Sequence, residues 1–232
     1  MPTRQTSRSK VPGAEAFLPA LPTLPALRSA VQNCQGCDLY RNATQAVFGE
    51  ADAAPATRIR MMMVGEQPGD REDKEGHPFV GPAGKFLDRC LEEAGIDRAQ
   101  VYVTNAVKHF KWEPRGKTRL HKKPSSSEIF ACSPWLHAEI EAVHPELIVC
   151  LGATASQSLL GAAFRVTRAH GIIQQLEGWP PILATAHPAS ILRARTDEDR
   201  HRQAAEFVAD LRAARHFLDG SKKSSPRKKE SR

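Results

Sequence analysis

The sequence predicts an α/β fold of three layers, α/β/α, around a central, mostly parallel four-stranded sheet, and three observations carry that prediction. Four short apolar runs, Arg58–Val64, Val101–Val107, Glu146–Leu151 and Pro181–Thr185, are continuous rather than alternating, as strands covered on both faces are. Segments with helical periodicity separate and follow them. Polar or glycine-bearing residues stand at the carboxyl end of each run, where open α/β sheets bind their ligands.

Taken in order, the first run leads into Gly65-Glu-Gln-Pro-Gly69. Ala83–Ala94 then sets Phe86, Leu87, Cys90 and Leu91 on one helical face. The second run ends in Thr104-Asn105. The helix expected over Ser126–Val143 opens on Ser125, Ser126 and Glu128, a capping arrangement, and stops before Pro145. The third run ends in Gly152-Ala-Thr-Ala155, small residues that read as tight strand–helix packing, and the fourth in Ala186-His-Pro-Ala-Ser190. Helices over Ala153–Leu160 and Asp199–Leu218 complete the pattern. Parallel strands in this arrangement bring Glu66, Asn105 and His187 to one edge of the sheet.

A chain of 232 residues suits one domain, and 41% hydrophobic with 25% charged residues excludes wholesale disorder. No apolar run approaches bilayer length, and no signal-peptide stretch follows Arg4, Arg8 and Lys10. An intracellular, cytoplasmic protein of bacterial type is expected, monomeric and independent of membranes. Residues 1–22 read as a basic, proline-rich tail, 23–219 as the domain, and 220–232 as a second basic tail. The net charge of +7 is unevenly placed. Apart from the tails, it gathers in residues 108–123, where Lys108, Lys111, Arg115, Lys117, Arg119, Lys122 and Lys123 face one acid, Glu113. One basic segment on a mildly acidic body suits a polyanionic partner.

Cys34-Gln-Gly-Cys37 has the spacing that lets two sulfurs reach one metal or cluster. Cys132 is a third candidate ligand. Cys90 on a helix's apolar face and Cys150 inside a strand read as buried, inert thiols. At the sheet edge, Glu66 is a carboxylate able to orient water or stabilise positive charge, with Asp70, Glu72 and Asp73 just beyond it. Phe79 is a ring able to stack on a planar base, and Asn105 a donor–acceptor able to read a base edge. Each also has a plain structural reading: a solvated acid in a turn, a core ring, a capping amide.

Read together, these segments resemble the family-4 uracil-DNA glycosylases, the iron–sulfur branch of the uracil-DNA glycosylase superfamily. The matching text is Cys34-Gln-Gly-Cys37, Gly65-Glu-Gln-Pro-Gly69, Gly76-His-Pro-Phe-Val-Gly-Pro-Ala-Gly84, Thr104-Asn-Ala-Val-Lys108, Ala131-Cys132, Leu151-Gly-Ala-Thr-Ala155 and Ala186-His-Pro-Ala-Ser190. It runs in the family's order over roughly residues 30 to 215. Two departures matter. The family usually carries cysteine where this chain has His109, an imidazole also competent to bind iron, and Cys150 is the alternative fourth ligand. The segment between His109 and Cys132 is longer than usual and contains Gly116-Lys-Thr-Arg-Leu-His-Lys-Lys-Pro124. That insertion looks like the subclass called UdgX, whose members excise uracil and stay covalently attached to the DNA through the histidine of this loop. The subclass typically reads Arg-Arg-Ile-His here, and this chain reads Thr118-Arg119-Leu120-His121.

The resemblance implies a 4Fe–4S cluster on Cys34, Cys37, His109 and Cys132. It implies uracil-containing DNA as substrate, single strands favoured, with Gly65, Gln67, Phe79 and Asn105 around the base. Glu66 stabilises the cationic sugar, His187 the departing uracil, and His121 attacks in place of water. Asp70 or Glu66 takes up the proton that His121 releases. Lys117, Arg119, Lys122 and Ser190 hold phosphates. Two other outcomes stay open: a conventional family-4 enzyme that releases an abasic product, and a non-catalytic, metal-stabilised nucleic-acid-binding module. A small-molecule α/β enzyme leaves the basic segment unexplained.

Overall fold

A computed structural model describes residues 13–53 and 57–223. The four predicted strands are present as β2 (Met61–Gly65), β3 (Val101–Asn105), β6 (Leu147–Leu151) and β8 (Ile182–Thr185). They run parallel in the order β3-β2-β6-β8. Two antiparallel edge strands of two residues each, β1 (Glu50–Ala51) and β7 (Ile173–Gln174), extend the sheet to six. Two residues are too few to leave a periodic signal, so these edges were invisible in sequence.

Every residue of the four central strands is buried. Alternate side chains feed two cores, as the strand period of two requires. Met61, Met63, Val101, Val103, Leu147 and Val149 pack with α3 (Pro82–Ala94) and α8 (Asp197–Lys223). Met62, Val64, Tyr102, Ile148 and Cys150 point the other way, toward α4 (Ser126–Val143) and α5 (Gly152–Leu160). Burying each such side chain contributes roughly 1.5–3 kcal/mol against leaving it in water. The helix α4 starts as expected: the Ser125 side chain accepts from the Glu128 amide and Glu128 reaches back to the Ser125 amide.

A third apolar cluster lies at one end, formed by Leu27 and Val31 of α1 (Leu24–Val31) with Phe48, Trp135 and Cys34, Cys37 and Cys132. Ala14 belongs to it, fully buried, with its amide on the Ala131 carbonyl at 2.9 Å. Residues 13–22 therefore begin inside the folded body rather than in a tail, and α8 carries the body past 219. The rest of both expected tails falls outside the described residues.

The basic segment is not a loop. Trp112–Arg115 and Thr118–His121 form a two-stranded antiparallel hairpin, β4–β5, with Trp112 opposite His121. Gly116 takes φ +60° at the turn, the sign two-residue hairpin loops demand, and a Cβ there would meet nothing. Short helices α2 (Asp70–Glu75), α6 (Val166–Ala169) and α7 (Pro188–Leu192) complete the chain. None of the described helices is long and apolar enough to cross a membrane.

Candidate active site

The strand order reverses between β2 and β6: the chain leaves β2 for β3 on one side and later returns to β6 on the other. A crevice opens outside the carboxyl ends of strands at such a reversal. Glu66 follows β2 there and Thr154 sits in the first turn of α5, just after β6. Their side chains meet, the Thr154 hydroxyl donating to Glu66 Oε2 in a short hydrogen bond. The other carboxylate oxygen, Oε1, lies 3.7 Å from His121 Nε2 at the end of the hairpin. Thr154 was missed in sequence because a threonine between alanines after a glycine carries no signal of its own.

Gly65, last in β2, pairs in register with Asn105, last in β3. A Cβ on Gly65 would lie 2.4 Å from Asn105 Oδ1 and 2.8 Å from Phe79 Cζ, so the bare backbone forms a floor between an amide and an aromatic ring. Phe79 holds φ +58°, a conformation few non-glycine residues adopt and one that collects at functional sites. Its ring stacks toward His187, with centroids 6.4 Å apart and planes 24° from parallel.

His187 precedes α7 and caps it: its Nδ1 accepts the Ala189 amide at 3.0 Å. The ring proton of neutral His187 therefore sits on Nε2, which is left to donate. Burial, reinforced by the charges of Arg193 and His121, pushes its pKa down to about 4 from 6.5. The unfolded chain takes up a proton here below about pH 6.5, whereas the folded one stays neutral to about pH 4. Acidification across that window therefore costs folding stability. His187→Gln is expected to flatten the fall in melting temperature between pH 6.5 and 4, measured by thermal unfolding.

His121 is half-exposed, its ring 5.9 Å from that of Phe110. Burial lowers its pKa below 6.5, Glu66 pulls it back up and Arg193 pushes it down. The net direction favours the neutral imidazole. Arg119, expected on phosphate, braces the hairpin instead. Its guanidinium lies 5.4 Å from both the Phe110 and Trp112 ring centroids and pairs with Asp70 at 2.5 Å and Asp73 at 2.6 Å. Asp70 is thus engaged: a hydrogen bond from Lys74, joined by Arg119, holds its carboxyl below the ordinary 3.8. Of the two carboxylates expected to serve His121, Glu66 is the one that faces it.

Gln67, expected on the base, also secures the hairpin. Its amide spans the Lys111 and Lys122 carbonyls at 3.2 and 3.1 Å and accepts the Lys111 amide at 3.1 Å. Lys122 pairs with Glu113 at 2.8 Å on the surface, Lys117 stands exposed in the turn, and Ser190 donates to the His187 carbonyl at 2.7 Å.

Behind the site, Cys34, Cys37 and Cys132 share the third cluster. The Trp135 indole donates to Cys34 Sγ at 3.1 Å and the Lys108 amide to Cys132 Sγ at 3.3 Å, the kind of hydrogen bond that tunes iron-bound sulfur. His109 is buried next in sequence to Lys108, its pKa pushed down to about 4 by burial, and without a hydrogen bond or ion pair among the described residues. Cys150 belongs to the sheet core with Ile148 and Ala184, which removes it from the thiol group. No three His, Cys, Asp or Glu side chains among the described residues surround the position of a single metal ion. A cluster, whose ligands bind separate iron atoms, spreads its sulfurs more widely, and three buried thiols with an unpartnered imidazole suit that donor set. Burial raises the Cys37 pKa and pushes that of Cys132 up to about 12, so thiolate ligation here needs the positive charge of bound iron.

The profile of the Uracil DNA glycosylase superfamily matches residues 52–212. The chain is similar to the type-4 uracil-DNA glycosylase of Thermotoga maritima, 36% identical across 81% of this chain and 91% of that protein. Those of Sulfurisphaera tokodaii, 35% identical across 73% and 76%, and Archaeoglobus fulgidus, 33% identical across 70% and 79%, are similar too. A profile covering the four central strands, the switch crevice and most of α8, with relatives that match along most of their own lengths, places the chain in the uracil-DNA glycosylase superfamily, alongside its type-4 members.

Proposed function

We propose that this protein cleaves the N-glycosidic bond of deoxyuridine in DNA. One observation carries the reading: the bare backbone of Gly65, closely approached by the Asn105 amide and the Phe79 ring, stands beside a carboxylate, Glu66, and a neutral histidine that presents Nε2–H, His187. A base stacked in duplex cannot reach such a site, so the nucleotide must be flipped or already single-stranded, and the latter substrate costs less to unstack. Phe79 covers the uracil face and the Asn105 amide pairs with its edge. As the bond lengthens, the sugar gains positive charge opposite Glu66, and the leaving uracil takes the electron pair, its oxygen accepting from His187. Lys117 and Lys122 supply cations for flanking phosphates. A 4Fe–4S cluster, which Cys34, Cys37, Cys132 and His109 would hold, supplies a structural cross-link between the N-terminal segment, α4 and the root of the hairpin.

Two groups compete for the sugar C1′ once uracil leaves. Attack by water gives an abasic product, and the relatives' names fit that outcome at least as well as any other. Attack by His121 gives a protein–DNA bond. Its support is the placement of a neutral imidazole on a braced hairpin with Nε2 turned to the Glu66 carboxylate, since a tethered nucleophile outcompetes randomly oriented water. In that step Nε2 bonds C1′, and the second ring nitrogen then yields its proton to solvent.

A single-stranded oligonucleotide with one uracil, incubated with wild type or His121→Ser and run on a denaturing gel, separates the outcomes. A denaturation-resistant band from wild type alone assigns the bond to His121, with free abasic product expected from the variant. Abasic product from both proteins leaves a conventional glycosylase. Intact uracil in both lanes overturns the enzymatic reading.

A further inference from the structure

We propose that Thr154 is a positioning residue for Glu66, presenting one carboxylate oxygen to the sugar while leaving the full negative charge in place. The inference rests on the excision reading above and adds a residue whose role packing does not explain.

Hydroxyls in α5 otherwise serve their own helix. Ser156 donates to the Gly152 carbonyl at 2.7 Å and Ser158 to the Ala155 carbonyl at 2.8 Å, the usual local recourse of a helical hydroxyl. Thr154, in the same helix and buried to 2% exposure, instead donates across the switch crevice to Glu66 Oε2. Its Cβ branching restricts χ1, so the hydroxyl is aimed by the backbone rather than by chance rotation. Among the described residues, Glu66 Oε2 has Thr154 and Oε1 has only the longer approach to His121.

The choice of a hydroxyl is informative. A lysine or arginine at this place would also fix the carboxylate, but would offset the charge that a cationic sugar needs. The surrounding acids show that alternative: Asp70 and Asp73 are both paired with Arg119. A neutral donor removes rotational freedom from Glu66 without neutralising it. Oε1 is thereby the oxygen left to face C1′ and the His121 ring.

The test compares Thr154→Val, which keeps the shape and deletes the hydroxyl, with Thr154→Ser, which restores it. Single-turnover excision and equilibrium binding to a uracil-containing strand are measured for each, with wild type in the same series. Thr154→Val is expected to slow excision about tenfold to a hundredfold, the usual worth of a hydrogen bond to a charged group, with binding unchanged. Thr154→Ser recovers most of the rate. In a Glu66→Gln background the valine substitution adds little, because the group it positions no longer carries charge. Excision by Thr154→Val at the wild-type rate overturns the proposal, as does a serine variant as slow as the valine one. Uracil left intact by wild type defeats the excision reading itself, and this proposal with it.

Discussion

Lys108→Met is expected to destabilise the fold by about 3–5 kcal/mol, the cost of breaking a buried ion pair from one side. Lys108 and Glu139 are both fully buried and joined directly. The Lys108 ammonium also donates to Thr104 Oγ1 at 2.8 Å and to the Asn105 carbonyl at 2.7 Å. Glu139 accepts in addition from the Gly49 amide at 3.0 Å, the Tyr102 hydroxyl at 2.9 Å and Thr104. Methionine fills the space but leaves Glu139 as an uncompensated charge among neutral donors. Few domains hold more than about 5–15 kcal/mol in reserve, so the loss should be plain in urea unfolding. Replacing both residues, Lys108→Met with Glu139→Leu, removes the stranded charge and is expected to recover part of the loss. A single variant that unfolds at the wild-type urea concentration would contradict the account.

That network also shows where sequence reading stops. The parallel sheet was legible because β2, β3, β6 and β8 are buried on both faces and so are written in uninterrupted apolar residues. Glu66, Asn105 and His187 were legible because strand ends in such a sheet must converge. Lys108 was counted among the cations of a solvent-facing basic segment, although it is completely buried. Nothing local distinguishes it from Lys122: its partner Glu139 stands 31 residues away, in the later turns of α4. The hairpin was hidden for a similar reason. Its strands are four residues long, charged on both faces and interrupted by Pro114, so no period of two survives, and what holds it is the remote pairing of Arg119 with Asp70 and Asp73. The roles of Arg119, Gln67 and Asp70 followed from that hidden structure. Thr154 is the converse case, a small residue correctly placed at a strand–helix junction whose significance appears only when the topology sets it against Glu66.

Glu66→Gln is expected to cut single-turnover excision about 10²–10³-fold, the range seen when one preorganised electrostatic contact to a transition state is removed. The substitution is nearly isosteric, and its carbonyl oxygen still accepts from Thr154, so folding and DNA binding should hold. What disappears is the charge facing a sugar that turns cationic as the bond to uracil breaks. Measured beside His121→Ser, the variant separates two steps that a gel band alone would merge. Loss of Glu66 charge acts before uracil departs and suppresses abasic product and covalent complex together. Loss of His121 acts afterwards and affects only which group captures the sugar. The pH dependence gives a second check. Burial and Arg193 lower the His121 pKa while Glu66 raises it, so removing the carboxylate lets that pKa fall further. Whatever adduct Glu66→Gln still forms should therefore persist to lower pH than in wild type, even though it forms more slowly. An acid limb that stays in place would mean that His121 does not sense Glu66, and that their 3.7 Å approach plays no part in capture.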